Sequence, residues 1–264
     1  MNDAQIKEMV RTRYGGIAAA SETSSCAPAA ASCCGPEGAA ISHDKARRMG
    51  YSEAELAVVP DGANLGLGCG NPQAIAAMQP GETVVDLGSG AGFDCFLAAR
   101  QVGDRGHVIG IDMTHEMLNK ARDNAARIGA GNVEFRLGEL EHLPIADKTA
   151  DVVISNCVIN LVPDKGQVFR EAFRVLKPGG RLAVSDIINT APLPAELQSD
   201  PALLCGCIAG AAPAERVESW LATAGFVDVR VAPKPESREL IKTWAPGRNI
   251  EDHIVSAVVD ARKP

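Results

Sequence analysis

Residues 83–92 read TVVDLGSGAG, and residues 93–101 continue as FDCFLAARQ. A short apolar run, a glycine-dense turn and a helical pattern follow one another without a gap. That order predicts a strand, a tight turn and a helix whose N-terminus lies beneath the turn, where a ligand can approach bare backbone. The spacing from Asp86 is D-x-G-x-G-x-G. A dinucleotide fingerprint, G-x-G-x-x-G, would need a third glycine at 93 or 95, and those positions are Phe93 and Cys95.

The same alternation continues outward. Residues 107–111, 132–137, 151–155 and 181–187 read as further strands, and 114–128 and 167–175 as helices. A turn is expected at Lys177-Pro178-Gly179-Gly180. Strands alternating with helices predict an α/β fold, a doubly wound and mostly parallel Rossmann-like sheet. Beyond residue 190, a Pro/Ala-rich stretch precedes a helix over 214–224, a strand over 226–231 and a last strand over 250–261. At the other end, residues 1–14 suggest a short helix and residues 15–40 a mobile linker of small residues. Three parts are expected: an N-terminal segment over 1–75, a core over 76–190 and a C-terminal extension completing the sheet over 191–264.

The 264 residues are 46% hydrophobic, enough for a sizeable core, with 4% aromatics and a net charge of −7. Few aromatics and no long basic run argue against a nucleic-acid partner. No apolar stretch reaches the length of a membrane span, and the N-terminus lacks the order of a secretory signal, so a cytoplasmic protein without a membrane partner is expected. Eight cysteines are then unusual: Cys26, Cys33, Cys34, Cys69, Cys95, Cys157, Cys205 and Cys207. In a reducing compartment such thiols point to soft-metal ligation or redox work rather than disulfide staples. None forms the C-x-x-C pair of a common zinc module.

The glycine turn resembles motif I of the class I S-adenosylmethionine-dependent methyltransferases. That resemblance implies a donor without pyrophosphate, its amino-acid end over Gly88, Ser89, Gly90 and Gly92 beside Asp86. Asp112, closing the second strand, suits the ribose hydroxyls, and Glu139, after the third, the adenine amino group. Met113, Leu140 and Asn156 adjoin these positions and complete the expected cofactor set. Cys157 follows the fourth strand, at the carboxyl edge where open α/β sheets bind ligands.

The segments NLGLGCGNP (64–72), DLGSGAGFDCFLAA (86–99), SNCVINL (155–161), VLKPGGRLAVSDI (175–187) and GCIAGA (206–211), with KTWAPG (242–247), resemble the arsenite methyltransferases. The resemblance runs from about residue 33 to the C-terminus. It implies that Cys157 and Cys207 hold trivalent arsenic. Cys69 and one of Cys33 and Cys34, with Cys34 the candidate, would act as third ligand or reducing thiols. Cys26, Cys95 and Cys205 are expected to be bystanders. An external thiol, glutathione or a thioredoxin-type partner, would reset the thiols. Two rivals remain open from sequence: a methyltransferase for an organic acceptor such as a quinone or sterol, and a thiol-based metalloid- or redox-binding protein without catalysis.

Overall fold

The computed structural model describes residues 1–20 and 36–264; Cys26, Cys33 and Cys34 lie outside the described residues. Eight strands form one sheet: β1 Thr83–Leu87, β2 His107–Asp112, β3 Val133–Leu137, β4 Ala150–Asn156, β5 Leu176–Asn189, β6 Ala212–Pro213, β7 Val227–Lys234 and β8 Ile254–Arg262. Their order is β3-β2-β1-β4-β5-β8-β7, with β6 paired to β5. Strands β1 to β5 run parallel, and β8 lies antiparallel between β5 and β7.

Both faces are covered, so the central strands can be apolar throughout. Alternate residues of one strand serve opposite faces. Val84, Val108 and Val152 pack with Phe96, Leu118 and Ala121 from the helices Phe93–Val102 and His115–Ile128. Val85, Ile109 and Val153 pack with Val168, Phe169 and Leu221 from the helices Lys165–Val175 and Ala214–Ala224. The strand order reverses at β1, whose neighbours are β2 and β4. The crevice outside the carboxyl ends of β1 and β4 is therefore where such a sheet takes its ligand.

Several expectations are corrected or refined. The first helix runs from Asp3 to Ala20, straight through Gly15 and Gly16. Gly15 is buried, and a Cβ there would stand 3.1 Å from the Glu116 carboxylate. Close approach to the helix His115–Ile128 thus overrides the low helix propensity of glycine. A second helix, Pro36–Arg48, occupies the end of the segment read as linker. The turn at Lys177–Gly180 is absorbed into the opening of β5 as a bulge: Ala150 pairs with Leu176 and Val152 with Arg181, and Gly179 between them has a left-handed φ of 77°. It is held there by bonds between Gly179 and Gly180 and the chain's Lys263, and by Lys177 on Asp151 at 2.8 Å. The last strand starts at Ile254, after one turn of 3-10 helix over Ile250–Asp252. No helix among the described residues is long and apolar enough to cross a membrane.

Candidate active site

A cavity of about 730 Å³ opens at the carboxyl ends of β1, β2 and β4. Its floor is the glycine turn. Gly88 and Gly90 take left-handed backbone, φ 73° and 52°, which glycine adopts without steric cost. A Cβ at Gly88 would stand 2.6 Å from Val158. Asp112 fastens the turn: one carboxylate oxygen accepts from Gly90 N at 3.0 Å, the other from Thr114 N at 2.8 Å.

The chemistry of this floor selects its ligand. Asp86, Asp94, Asp112 and Glu141 all line the cavity. Burial pushes the carboxyls of Asp86, Asp94 and Asp112 above the usual range, most strongly at Asp86, where Asp94 adds to the effect. An acid-lined turn repels a pyrophosphate and favours a ligand carrying positive charge. Ser89 Oγ is buried in the same wall with no partner among the described residues, a polar atom waiting for one. A sulfonium donor with a nucleoside and an amino-acid end fits this set.

Three thiols converge at the far side, each carried by a different segment. Cys157 follows β4, Cys207 lies in the loop before β6, and Cys69 sits between Gly68 and Gly70. The sulfurs of Cys69 and Cys157 and a carboxylate oxygen of Asp186 lie within 4.8 Å of one another. Cys207 Sγ donates to the Cys157 carbonyl oxygen at 2.7 Å. Cys157 and Cys207 also have left-handed backbone, φ 58° and 62°, where a residue with a Cβ is strained. The surrounding packing holds both thiols in place against that strain.

All three thiols are held protonated. Burial raises the Cys69 thiol. The hydrogen bond with Cys157 and then burial push Cys207 well up. At Cys157 the Cys207 contact pulls down, but the contact with Cys69 and burial outweigh it.

Asn156 ties the Cys69 loop to the sheet. Its side-chain oxygen accepts from Cys69 N at 3.1 Å, and its amide donates to Gly70 O at 2.9 Å, Tyr51 OH at 3.0 Å and Asp94 at 3.2 Å. A Cβ at Gly68 would stand 3.0 Å from this amide, and one at Gly70 2.8 Å from Ser185 Oγ, so the loop can close over them only with glycine.

A methyltransferase-domain family model matches residues 78–225. The arsenite methyltransferase of Halobacterium salinarum is 52% identical over 271 residues, covering 98% of this chain and 67% of that protein. The chain belongs to the arsenite methyltransferase family. The arsenite methyltransferase of Aquipseudomonas alcaligenes is 44% identical over 171 residues, covering 62% of this chain and 49% of that one. The chain therefore spans about two thirds of the first relative's length and about half of the second's. A crystal structure of an arsenic(III) S-adenosylmethionine methyltransferase from Chlamydomonas reinhardtii superposes with a TM-score of 0.62 at 33% identity, covering 83% of this chain and 73% of that one.

Within this arsenite methyltransferase family fold, Asp86, Gly88, Ser89, Gly90, Asp112, Met113, Leu140, Asn156, Cys157 and Cys207 line one cavity. Cys69 stands just behind Cys157, 5% exposed. Gly92 instead makes room for packing, since a Cβ there would meet Phe96 at 2.7 Å. Glu139 turns to the N-terminal helix, 2.7 Å from Lys7 and 3.6 Å from Arg11. Its neighbour Glu141, also on Lys7 at 3.0 Å, faces the cavity. Cys95 is fully buried and donates to Asp86 at 3.2 Å, and Cys205 packs against Val10 of the N-terminal helix. Sequence reasoning passed over Asp94 and Asp186. The acid at the end of a parallel strand was the signal for Asp112, and it applies equally to Asp186 on β5.

Proposed function

We propose that the protein transfers methyl groups from S-adenosylmethionine to trivalent arsenic bound by Cys69, Cys157 and Cys207. The observation that carries this is the meeting of three protonated thiols from three segments beside an acid-lined glycine turn. Arsenous acid is neutral and condenses with neutral thiols: each As–S bond formed expels one water, and no charge is buried. A divalent cation would instead demand thiolates, which this site disfavours. Thiols are also the soft ligands that a soft metalloid prefers.

S-adenosylmethionine, when bound, supplies an electrophilic methyl on a positively charged sulfur. Asp86, Asp112 and the backbone of Gly88 and Gly90 would hold it, with Ser89 Oγ available to its polar end. Trivalent arsenic on three sulfurs keeps a lone pair, so no base is needed. The task of the chain is to align arsenic with the methyl at near-attack distance. The strained backbone at Cys157 and Cys207 and the Asn156 anchor under Cys69 serve that alignment. After methylation, two thiols would return two electrons to arsenic and close as a disulfide. Cys34 or Cys33 is our candidate for the partner thiol, and an external reductant such as glutathione or a thioredoxin-type protein would reset the pair by exchange.

The test is methylation of arsenite with labelled S-adenosylmethionine and glutathione. Cys157→Ser and Cys207→Ser should each abolish product while leaving S-adenosylmethionine binding intact. Full activity in both would refute the thiol site.

A further inference from the structure

Asp186 lies at the carboxyl end of β5 and is 6% exposed. It accepts from Ile159 N at 3.0 Å, from Asn160 Nδ2 at 2.9 Å and from Ile187 N at 2.8 Å. Among the described residues three donors and no acceptor bond to it, the coordination of an ionised carboxylate. Burial raises its pKa to about 6, still below neutrality. A carboxylate oxygen lies within 4.8 Å of the Cys69 and Cys157 sulfurs. Its field reaches all three thiols, since Asp186 raises each of Cys69, Cys157 and Cys207. The facing cation is Lys165, half-buried at the start of the helix Lys165–Val175, its Nζ on Val162 O at 3.0 Å. A buried charge is costly, and nothing in β5 itself calls for one.

The acceptor chemistry explains what such a charge is for. Arsenic bound by three sulfurs is neutral. When its lone pair forms the As–C bond, the C–S bond breaks and its electron pair stays on the donor sulfur. The positive charge of the sulfonium is then left on arsenic, and no proton moves. We propose that Asp186 is the electrostatic partner of that transferred charge, placed beside the thiols so that arsenic becomes more positive next to a fixed anion. The acids of the glycine turn favour the charge where it starts, and Asp186 favours it where it arrives. A preorganised charge aimed at where charge develops lowers the barrier because it need not reorganise during the reaction. The same carboxylate, through Ile159 N and Asn160, also steadies the turn that follows Cys157.

This role rests on the proposed function, and the experiment separates the two. Two variants are used. Asp186→Asn removes the charge with little change of volume. Lys165→Met removes the opposing cation and leaves the Asp186 hydrogen bonds in place. The first readout needs no turnover: iodoacetamide labelling of Cys157 and Cys207 in the free protein at fixed pH, followed by peptide mass spectrometry. Asp186→Asn should label about threefold faster and Lys165→Met more slowly, because opposite charges shift the thiols in opposite directions. The second readout is single-turnover methyl transfer to enzyme-bound arsenite. Asp186→Asn should be about tenfold slower, with arsenite binding by equilibrium dialysis within about twofold of wild type, and Lys165→Met should be faster. A purely structural role moves neither variant of the pair in the opposite direction. The inference is overturned if Asp186→Asn transfers methyl at the wild-type rate, if its loss is matched by lost arsenite binding, or if Lys165→Met is no faster. Should Asp186→Asn fail to fold, Lys165→Met decides alone. A wild-type protein that does not methylate arsenite refutes the proposed function and this role together, whereas a wild-type rate with an unaffected Asp186→Asn refutes this role only.

Discussion

Asn156→Ala separates the anchoring of Cys69 from the rest of the site. The native amide meets four partners. Two of them have alternatives: Tyr51 OH donates to Asp94 at 2.7 Å, and Gln73 Nε2 also reaches Asp94, at 3.3 Å. The other two, Cys69 N–H and Gly70 C=O, are bonded through Asn156. Leaving each without a partner costs about 1–3 kcal/mol, so the variant should be destabilised by about 3 kcal/mol. A water entering the vacated space would reduce that figure toward about 2 kcal/mol. The loss falls on the loop that carries one of the three thiols, so arsenite affinity should drop by about tenfold or more as Cys69 is released from Cys157. Urea unfolding gives the first quantity and equilibrium dialysis with arsenite the second. A stability loss below about 1 kcal/mol together with unchanged arsenite affinity would refute the anchoring role.

Three further outcomes are expected. Gly88→Ala imposes a left-handed alanine, at about 1–2 kcal/mol, and drives its Cβ to 2.6 Å from Val158, so calorimetry should show S-adenosylmethionine binding weakened by tenfold or more; wild-type affinity would show that the turn is not the donor site. Asp112→Ala frees Gly90 N and Thr114 N and should weaken the same ligand while leaving arsenite binding within about twofold; equal cofactor affinity sinks that assignment. The raised thiols should make Cys157 and Cys207 alkylate more slowly than glutathione at pH 8 and accelerate steadily as pH rises, since only the thiolate reacts. Fast, pH-independent labelling between pH 7 and 8 would mean that they are ionised in the free protein.

The central strands were legible because their signals are local. Apolar runs such as TVVDL need no partner to be recognised, and the glycines after them state that a ligand approaches backbone. The first helix was misjudged where local and tertiary terms conflict. Gly15 and Gly16 read as a stop, but contact with Glu116 carries the helix through them to Ala20. The turn at Lys177–Gly180 was legible from its glycines, but its place inside β5 was not, since bonds to Lys263 at the far end of the chain hold it there as a bulge. At the site, Cys157 and Asp112 followed from the strand-end rule. Glu139 obeyed the rule in position but found Lys7, more than a hundred residues away, which no spacing announces. Convergence of Cys69, Cys157 and Cys207 depends on loops crossing from separate strands. Only the family resemblance grouped them beforehand.

The left-handed backbone at Cys157 and Cys207 also sets the direction of mutational drift. Glycine at either place would relieve about 1 kcal/mol of strain or more, and asparagine would tolerate the conformation better than cysteine does. Selection for thermal stability alone would therefore remove these two sulfurs early. Libraries screened only for soluble, heat-resistant protein should enrich substitutions there, as would lineages released from exposure to the metalloid. Cysteine persists at both positions only while something rewards the thiol itself.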